Sequence, residues 1–258
     1  IGGDEFAFIV TACSDAKEQA IALANAIHTL SKPSYLLKNK NYQLTASVGI
    51  AIFPDNSLDI EALCSNADMA MYHAKSETGF SYQFFSSSMN DTAVRRVKIE
   101  SLIRQGLKND WFEVFYQPKI DLATQTIMGM EALVRLDHPE EGMIYPNEFI
   151  PIAEDTGLII AIGEKVLDKA CYATQQWRKS GLFNGRIAVN LAAKQFAQAD
   201  LLQRIEHVLE CTQLPLANLE LEITEGTVMN SPQKAIDTML QIRAMGIHLS
   251  LDDNVCYF

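Results

Sequence analysis

The sequence has no basic excess, no long apolar run, no paired cysteines and no clustered histidines. Its 258 residues hold 21 Lys and Arg against 32 Asp and Glu, a net charge of −11. Broad nucleic-acid binding depends on basic surface, so that class is excluded. An anionic substrate would need local cations or bound metal to offset the repulsion. The longest apolar stretch, "GLIIAIG" (157–163), falls far short of the roughly 20 residues that cross a bilayer. No signal-peptide pattern opens the chain. It does not begin with Met, and is therefore read as starting inside a longer sequence. Cys13, Cys64, Cys171, Cys211 and Cys256 are odd in number and form no CxxC. They are expected to be reduced, mostly buried thiols of a cytoplasmic protein. The five histidines are dispersed and no HExxH occurs, which argues against zinc. What is present is ordinary globular material, 48% apolar, enough for one large domain or two small ones.

Two regions differ in rhythm. To about residue 85 the pattern is mixed. "IGGDEFAFIV" reads as a turn at Gly2-Gly3 followed by a strand, since glycine accepts positive φ. Residues 15–30 carry a helical pattern, "YQLTASVGIAIF" reads as one strand, "LDIEALCSNADMAMYHAK" as a helix and "SYQFF" as a short edge strand. Residues 91–109 read as an amphipathic connector with Val94, Val97, Leu102 and Leu107 on its apolar stripe; Arg95, Arg96 and Lys98 are its solvated face. From Trp111 onward, strands are expected at "EVFYQPKID", "TIMGMEALVRL", "RIAVNL", "LELEIT" and "IHLSLD". A helix over 232–245 is punctuated by Ser231 as cap, Pro232 at its first position and Gly246 after it. Later strands recur about every 30 residues, as βα units of a parallel sheet or barrel do.

In such architectures chemistry collects at the carboxyl ends of strands. Glu131, Asn190, Glu222, Asp252 and Asp253 lie in or at the ends of four of these strands. In "LELEIT" the side chains of Glu220, Glu222 and Thr224 share one face, and carboxylates inside a strand are costly to bury unless paired or metal-bound. Glu131 and Arg135 also share a face, an acid beside a guanidinium suited to phosphate. An all-oxygen donor set suits Mg²⁺ or Mn²⁺, and adjacent aspartates can bridge two ions for phosphodiester hydrolysis. The competing reading makes Glu131–Arg135 a structural ion pair and the rest ordinary loop acids. Trp111 and Trp177 read as packing residues, and His73 as a surface or packing residue; Glu154 reads as a helix cap or orienting group.

Two series of motifs resemble known families. "GGDEF", "SVGIAIFP" and "ADMAMYHAK" resemble the GGDEF domain family, which makes cyclic di-GMP from two GTP. "YQPKID", "EALVRL", "FIPIAEDTGLI", "VNLAAKQF", "LELEITE" and "LDD" resemble the EAL domain family, which hydrolyses cyclic di-GMP to linear pGpG. The resemblance implies an α/β chain in three parts. Residues 1–88 are the C-terminal part of an α+β GGDEF domain, and 89–109 are a connector helix. Residues 110–258 are the N-terminal part of a (β/α)₈-type EAL barrel with one reversed strand, reaching its fifth strand. It places Glu131, Asn190, Glu222 and Asp252 at the first metal, with Asp253 toward the second, and Gln117 and Arg135 at the substrate. In the GGDEF part it assigns Gly2, Gly3, Asp4, Glu5 and Lys75 to nucleotide and metal.

The resemblance also marks departures. Where the EAL family continues "FGTGYSS", this chain has Asn254 to Phe258, and the family's later lysine, glutamate and glutamine do not follow. Ala192 replaces a family serine. Gly79 stands where the GGDEF family places a phosphate-contacting arginine. The function implied is a cyclic-di-GMP phosphodiesterase using Mg²⁺ or Mn²⁺, with the 258-residue chain alone expected to be inactive and poorly stable. A diguanylate cyclase and a non-catalytic GTP- or cyclic-di-GMP-binding scaffold are the alternatives. A homodimer and a cytoplasmic location are expected for the longer protein, anchored or not through an upstream region.

Overall fold

The computed structural model describes residues 4–11, 15–38, 40–75, 81–229 and 232–252, in two compact units, Ile1–Arg95 and Arg96–Phe258. In the first unit, helix α1 (Ala16–Ser31) starts where Asp15 accepts hydrogen bonds from the backbone N–H groups of Lys17 and Glu18. These are donors that a helix cannot satisfy internally. The segment expected as one strand over 42–53 is instead divided. Strands β1 (Ser34–Leu37) and β2 (Lys40–Gln43) form an antiparallel hairpin, and β3 (Ser47–Ile50) is separate. The hairpin turns at Lys38, with φ of 49°; no glycine marks it, so the turn left little trace in the sequence. Residues 5–10, expected as a strand, have no regular structure.

Strand β3 pairs in parallel with β4 (Ser81–Phe84), and helix α2 (Ile60–Lys75) lies against both. Gly49 explains the closeness of that packing. A Cβ there would stand 1.9 Å from the Ala67 carbonyl oxygen and 2.2 Å from the Met71 nitrogen, so only glycine lets strand and helix backbones meet.

Helix α3 (Ser87–Asn109) leads into the second unit. The expected stripe is wrong in its first half: Val94 and Val97 are 71% and 70% exposed, while Ile99, Leu102 and Ile103 are buried. Gly106 continues the buried side, where a Cβ would press on Leu136 and Phe112. Then come β5 (Phe112–Ile120), β6 (Ile127–His138), β7 (Gly142–Ile144), α4 (Pro146–Thr156), α5 (Ile159–Lys179) and β8 (Arg186–Asn190). They are followed by α6 (Ala193–Phe196), α7 (Leu201–Thr212), β9 (Leu219–Thr224), α8 (Glu225–Met229), α9 (Pro232–Ala244) and β10 (His248–Asp252). Ser231 lies outside the described residues, while Gly246 takes a φ of 94° after α9.

These strands build one sheet in the order β10-β9-β8-β6-β5, with β7 paired to β6. Strands β6, β8, β9 and β10 run parallel, and β5 is reversed against β6. The sheet has two unlike faces. Phe112, Val134, Leu136, Ile187, Val189, Leu219, Leu221 and Ile223 belong to the buried core, together with α4, α5 and α7 residues such as Phe149, Ile162 and Ile205. Fully burying such a side chain contributes about 1.5–3 kcal/mol. Trp177 packs edge-on against Tyr116 and Phe183, and Trp111 against His138, so both tryptophans are packing residues. Of the described cysteines only Cys171 is buried; Cys64 and Cys211 are exposed, against the expectation of mostly buried thiols. Burial pushes the Cys171 thiol up to about 12.

Candidate functional site: the polar face of the sheet

Strand alternation sends every second side chain to the face opposite the core. The register then aligns them across strands. Gln117 lies opposite Glu131, and Glu131 pairs with Ala188, Ala188 with Glu220, Asn190 with Glu222, and Glu222 with Ser250. One sheet face therefore collects Gln117 and Lys119 from β5, Glu131 and Arg135 from β6, Asn190 from β8, Glu220 and Glu222 from β9 and Ser250 from β10. Asp252 takes its register place opposite Thr224; its side chain, and the whole of Asp253, lie outside the described residues.

Three of the expected metal ligands are brought together. The Asn190 amide donates to Glu131 Oε1 at 2.8 Å, which joins β8 to β6. Glu222, one register step from Asn190, is only 7% exposed. Burial raises its carboxyl pKa above the ordinary glutamate value, and the charges of Glu131 and Glu220 add to the rise. The Lys119 ammonium works the other way by hydrogen bonding and ion pairing with Glu222. For Lys119 burial is the largest single influence and pulls downward, yet Glu222, Glu131 and Glu220 together hold it above the usual lysine value.

Arg135 does not pair with Glu131. Its guanidinium donates to the Val134 carbonyl at 2.7 Å and lies over the Phe115 ring, 5.8 Å from the centroid. The structural ion pair weighed above is thus not formed, and the guanidinium is placed by ring and backbone rather than by a carboxylate. Gln117 is exposed on the same face. Glu154, read from sequence as a helix cap, contributes its backbone carbonyl to Gly157 at the end of α4. Its side chain also lines a cavity of about 100 Å³ whose walls include Val134, Ile159, Asn190, Glu222 and Thr224. Burial, then neighbouring Asp155, raises its carboxyl pKa.

The donor chemistry fits a divalent cation. Glu131, Asn190 and Glu222 offer oxygen, a lysine cation already sits on Glu222, and Ser250 Oγ is buried with no hydrogen-bond partner among the described residues. Among the described residues no three His, Cys, Asp or Glu are grouped closely enough to hold an ion on their own.

The first unit's candidates are less assembled. Gly2, Gly3 and Gly79 lie outside the described residues. Asp4 and Glu5 are exposed in a segment without regular structure, and Lys75 is exposed at the end of α2. Among the described residues no side-chain hydrogen bond or ion pair joins any of the three to another residue. Lys119 is the residue that reading the sequence missed, although it stands inside "YQPKID". The signal was there: it is two residues from Gln117 and so shares its face.

Comparison with known proteins gives the family. The EAL domain family model matches residues 100–255, and the model described as "Diguanylate cyclase, GGDEF domain" matches residues 1–80. The chain belongs to the EAL domain family. The bifunctional diguanylate cyclase/cyclic di-GMP phosphodiesterase MucR of Pseudomonas aeruginosa is 38% identical over 253 residues, covering 98% of this chain and 37% of MucR. The cyclic di-GMP phosphodiesterase NbdA of the same organism is 33% identical over 251 residues, covering 97% of this chain and 32% of NbdA. The chain thus spans about a third of the length of the curated relatives it matches. Among solved structures, the PaMucR phosphodiesterase in complex with c-di-GMP superposes with a TM-score of 0.59 at 38% identity, covering 62% of this chain and 65% of that one. The EAL barrel likeness thus agrees with the parallel sheet and its reversed strand. Among the described residues no helix is long and apolar enough to cross a membrane.

Proposed function

We propose that the protein hydrolyses cyclic di-GMP to pGpG through its EAL unit, using Mg²⁺ or Mn²⁺. The observation that carries this reading is the meeting of Glu131, Asn190 and Glu222, from three different strands, on one polar sheet face. EAL relatives named as cyclic di-GMP phosphodiesterases, and an EAL structure in complex with c-di-GMP, support it. Glu131, Asn190, Glu222, Asp252 and Asp253 would hold the ions. When bound, the ions supply a water of lowered pKa and polarise the phosphate. Arg135 offers a guanidinium fork to a phosphate oxygen from its seat over Phe115, and Gln117 offers its amide to the nucleotide. Asn190 orients Glu131, and the buried setting of Glu222 keeps competing water from its carboxylate. The test is incubation of the whole protein with cyclic di-GMP and Mn²⁺, with and without chelator. Chelator-sensitive appearance of pGpG is expected; no turnover under any metal condition would defeat the reading.

The match of residues 1–80 to the diguanylate cyclase model favours a second reading for the first unit. Here Gly2, Gly3, Asp4, Glu5 and Lys75 serve GTP and its metal, in a cytoplasmic homodimer, whether for synthesis or for binding alone. Incubation of the whole protein with GTP separates the two: cyclic di-GMP formation marks a cyclase, and saturable GTP binding without product marks a regulatory scaffold.

A further inference from the structure

We propose that Lys119 is a resident counter-ion of the carboxylate site, holding Glu222 when no metal is bound and giving up that place to an incoming divalent ion. The inference rests on the metal-dependent reading above. Strands β5 and β9 are separated by β6 and β8 in the sheet order, yet the Lys119 ammonium reaches Glu222. Only a sheet curved toward its own polar face brings them together, as barrel strands are. The ammonium therefore points into the concave side, at the carboxylate that Asn190 and Ser250 flank in register.

The charge balance explains why a lysine belongs there. Glu131, Glu220 and Glu222 crowd one face, and a buried carboxylate without a cation nearby is strongly disfavoured. Arg186 serves Glu220 at 3.5 Å. Glu131 receives the neutral Asn190 amide. Lys119 is left as the cation for Glu222, and its side chain is 37% exposed, free to swing aside once a metal takes over the charge. A metal bound to Glu222 and a lysine in contact with the same carboxylate repel each other, so the two cations compete.

The experiment compares Mn²⁺ binding to the full chain by calorimetry at pH 8, and thermal unfolding with and without Mn²⁺. Lys119→Met should bind Mn²⁺ about tenfold more tightly than the unaltered chain, the scale of repulsion between a single and a double charge a few ångströms apart under water-like screening. It should unfold at lower temperature without metal and gain more from Mn²⁺ than the unaltered chain does. Lys119→Arg, which keeps the charge, should bind Mn²⁺ within about threefold of the unaltered chain, since like charge leaves the repulsion in place. The proposal is overturned if Lys119→Met binds Mn²⁺ no more tightly, if Lys119→Arg tightens binding as much, or if Lys119→Met stays unfolded in saturating Mn²⁺. If the unaltered chain binds no Mn²⁺ at all, the metal-dependent reading fails first and takes this inference with it.

Discussion

The two units differ most in what they bury. Among the described residues the first unit buries Ala24, Ala70, Ala74 and Ser81, all small. The second buries Phe112, Phe149, Leu136, Ile162, Ile187, Leu219 and many more in one continuous core. The second unit also carries the assembled polar site, whereas Asp4, Glu5 and Lys75 in the first are exposed and unjoined. The comparison shows that motif strength and site assembly are separate properties. "GGDEF" is as literal a signature as any in the chain, yet assembly is seen where a core fixes neighbouring strands in register.

The sharpest way to break the comparison is to damage the larger core. Phe112→Ala removes a fully buried ring that stacks edge-on with Phe149 at 5.7 Å, and should cost about 3–5 kcal/mol. Denaturant unfolding followed by Trp111 and Trp177 fluorescence, both in the second unit, reads it directly. A loss below about 0.5 kcal/mol, the level of surface substitutions, would mean that the core is not the unit's mainstay. A smaller effect is expected from overpacking in the first unit. Gly49→Ala forces a Cβ onto backbone atoms of α2, and should cost about 1–3 kcal/mol. Hydrogen exchange localised to residues 47–75 should accelerate while the second unit is unchanged; equal effects in both units would blur the distinction.

The smallest effect comes from Asp110, which joins Lys165 at 2.8 Å and Lys169 at 3.2 Å between the start of β5 and α5. Hydrogen bonds from Lys165, then Lys169, hold its carboxyl below the ordinary aspartate value. A lowered folded-state pKa contributes stability that is present above the unfolded value and is lost as pH falls through the folded one. The pair is largely exposed, so Asp110→Asn should cost under about 1 kcal/mol at neutral pH and nothing at a pH below both values. Chemical denaturation of both proteins over a series of falling pH checks the size and the sign: the difference between them should shrink as the pH drops.

Much of the second unit was legible because its periodicities are strict. "LELEIT" alternates without a break, so the partition of Leu219, Leu221 and Ile223 from Glu220 and Glu222 follows from residue order alone. Helix α9 is bracketed by Pro232 and Gly246 and could hardly be misplaced. Other features depended on tertiary partners. Val94 and Val97 look like stripe residues, but the buried side of α3 is set by where Leu136 and Phe112 meet it, at Ile99, Leu102, Ile103 and Gly106. The hairpin at Lys38 lacks a turn glycine and left no signal over 34–41, while the unbroken run over 42–53 hides the break between β2 and β3. Lys119 was hidden for another reason: its partner lies 103 residues away on a strand that only sheet curvature brings near.

The central claim is that Glu131, Asn190 and Glu222 form the core of a metal-dependent site for cyclic di-GMP. The most direct measurement is the rate of pGpG formation from cyclic di-GMP and Mn²⁺ by the whole protein, unaltered and with Glu131→Gln. That substitution keeps the shape and the hydrogen-bonding reach to Asn190 but removes the negative charge. The account predicts hydrolysis by the unaltered protein and a loss of at least about a hundredfold in the variant, the scale of removing one group that stabilises charge in a reaction, with no fall in thermal stability. Equal rates in the two proteins would contradict it.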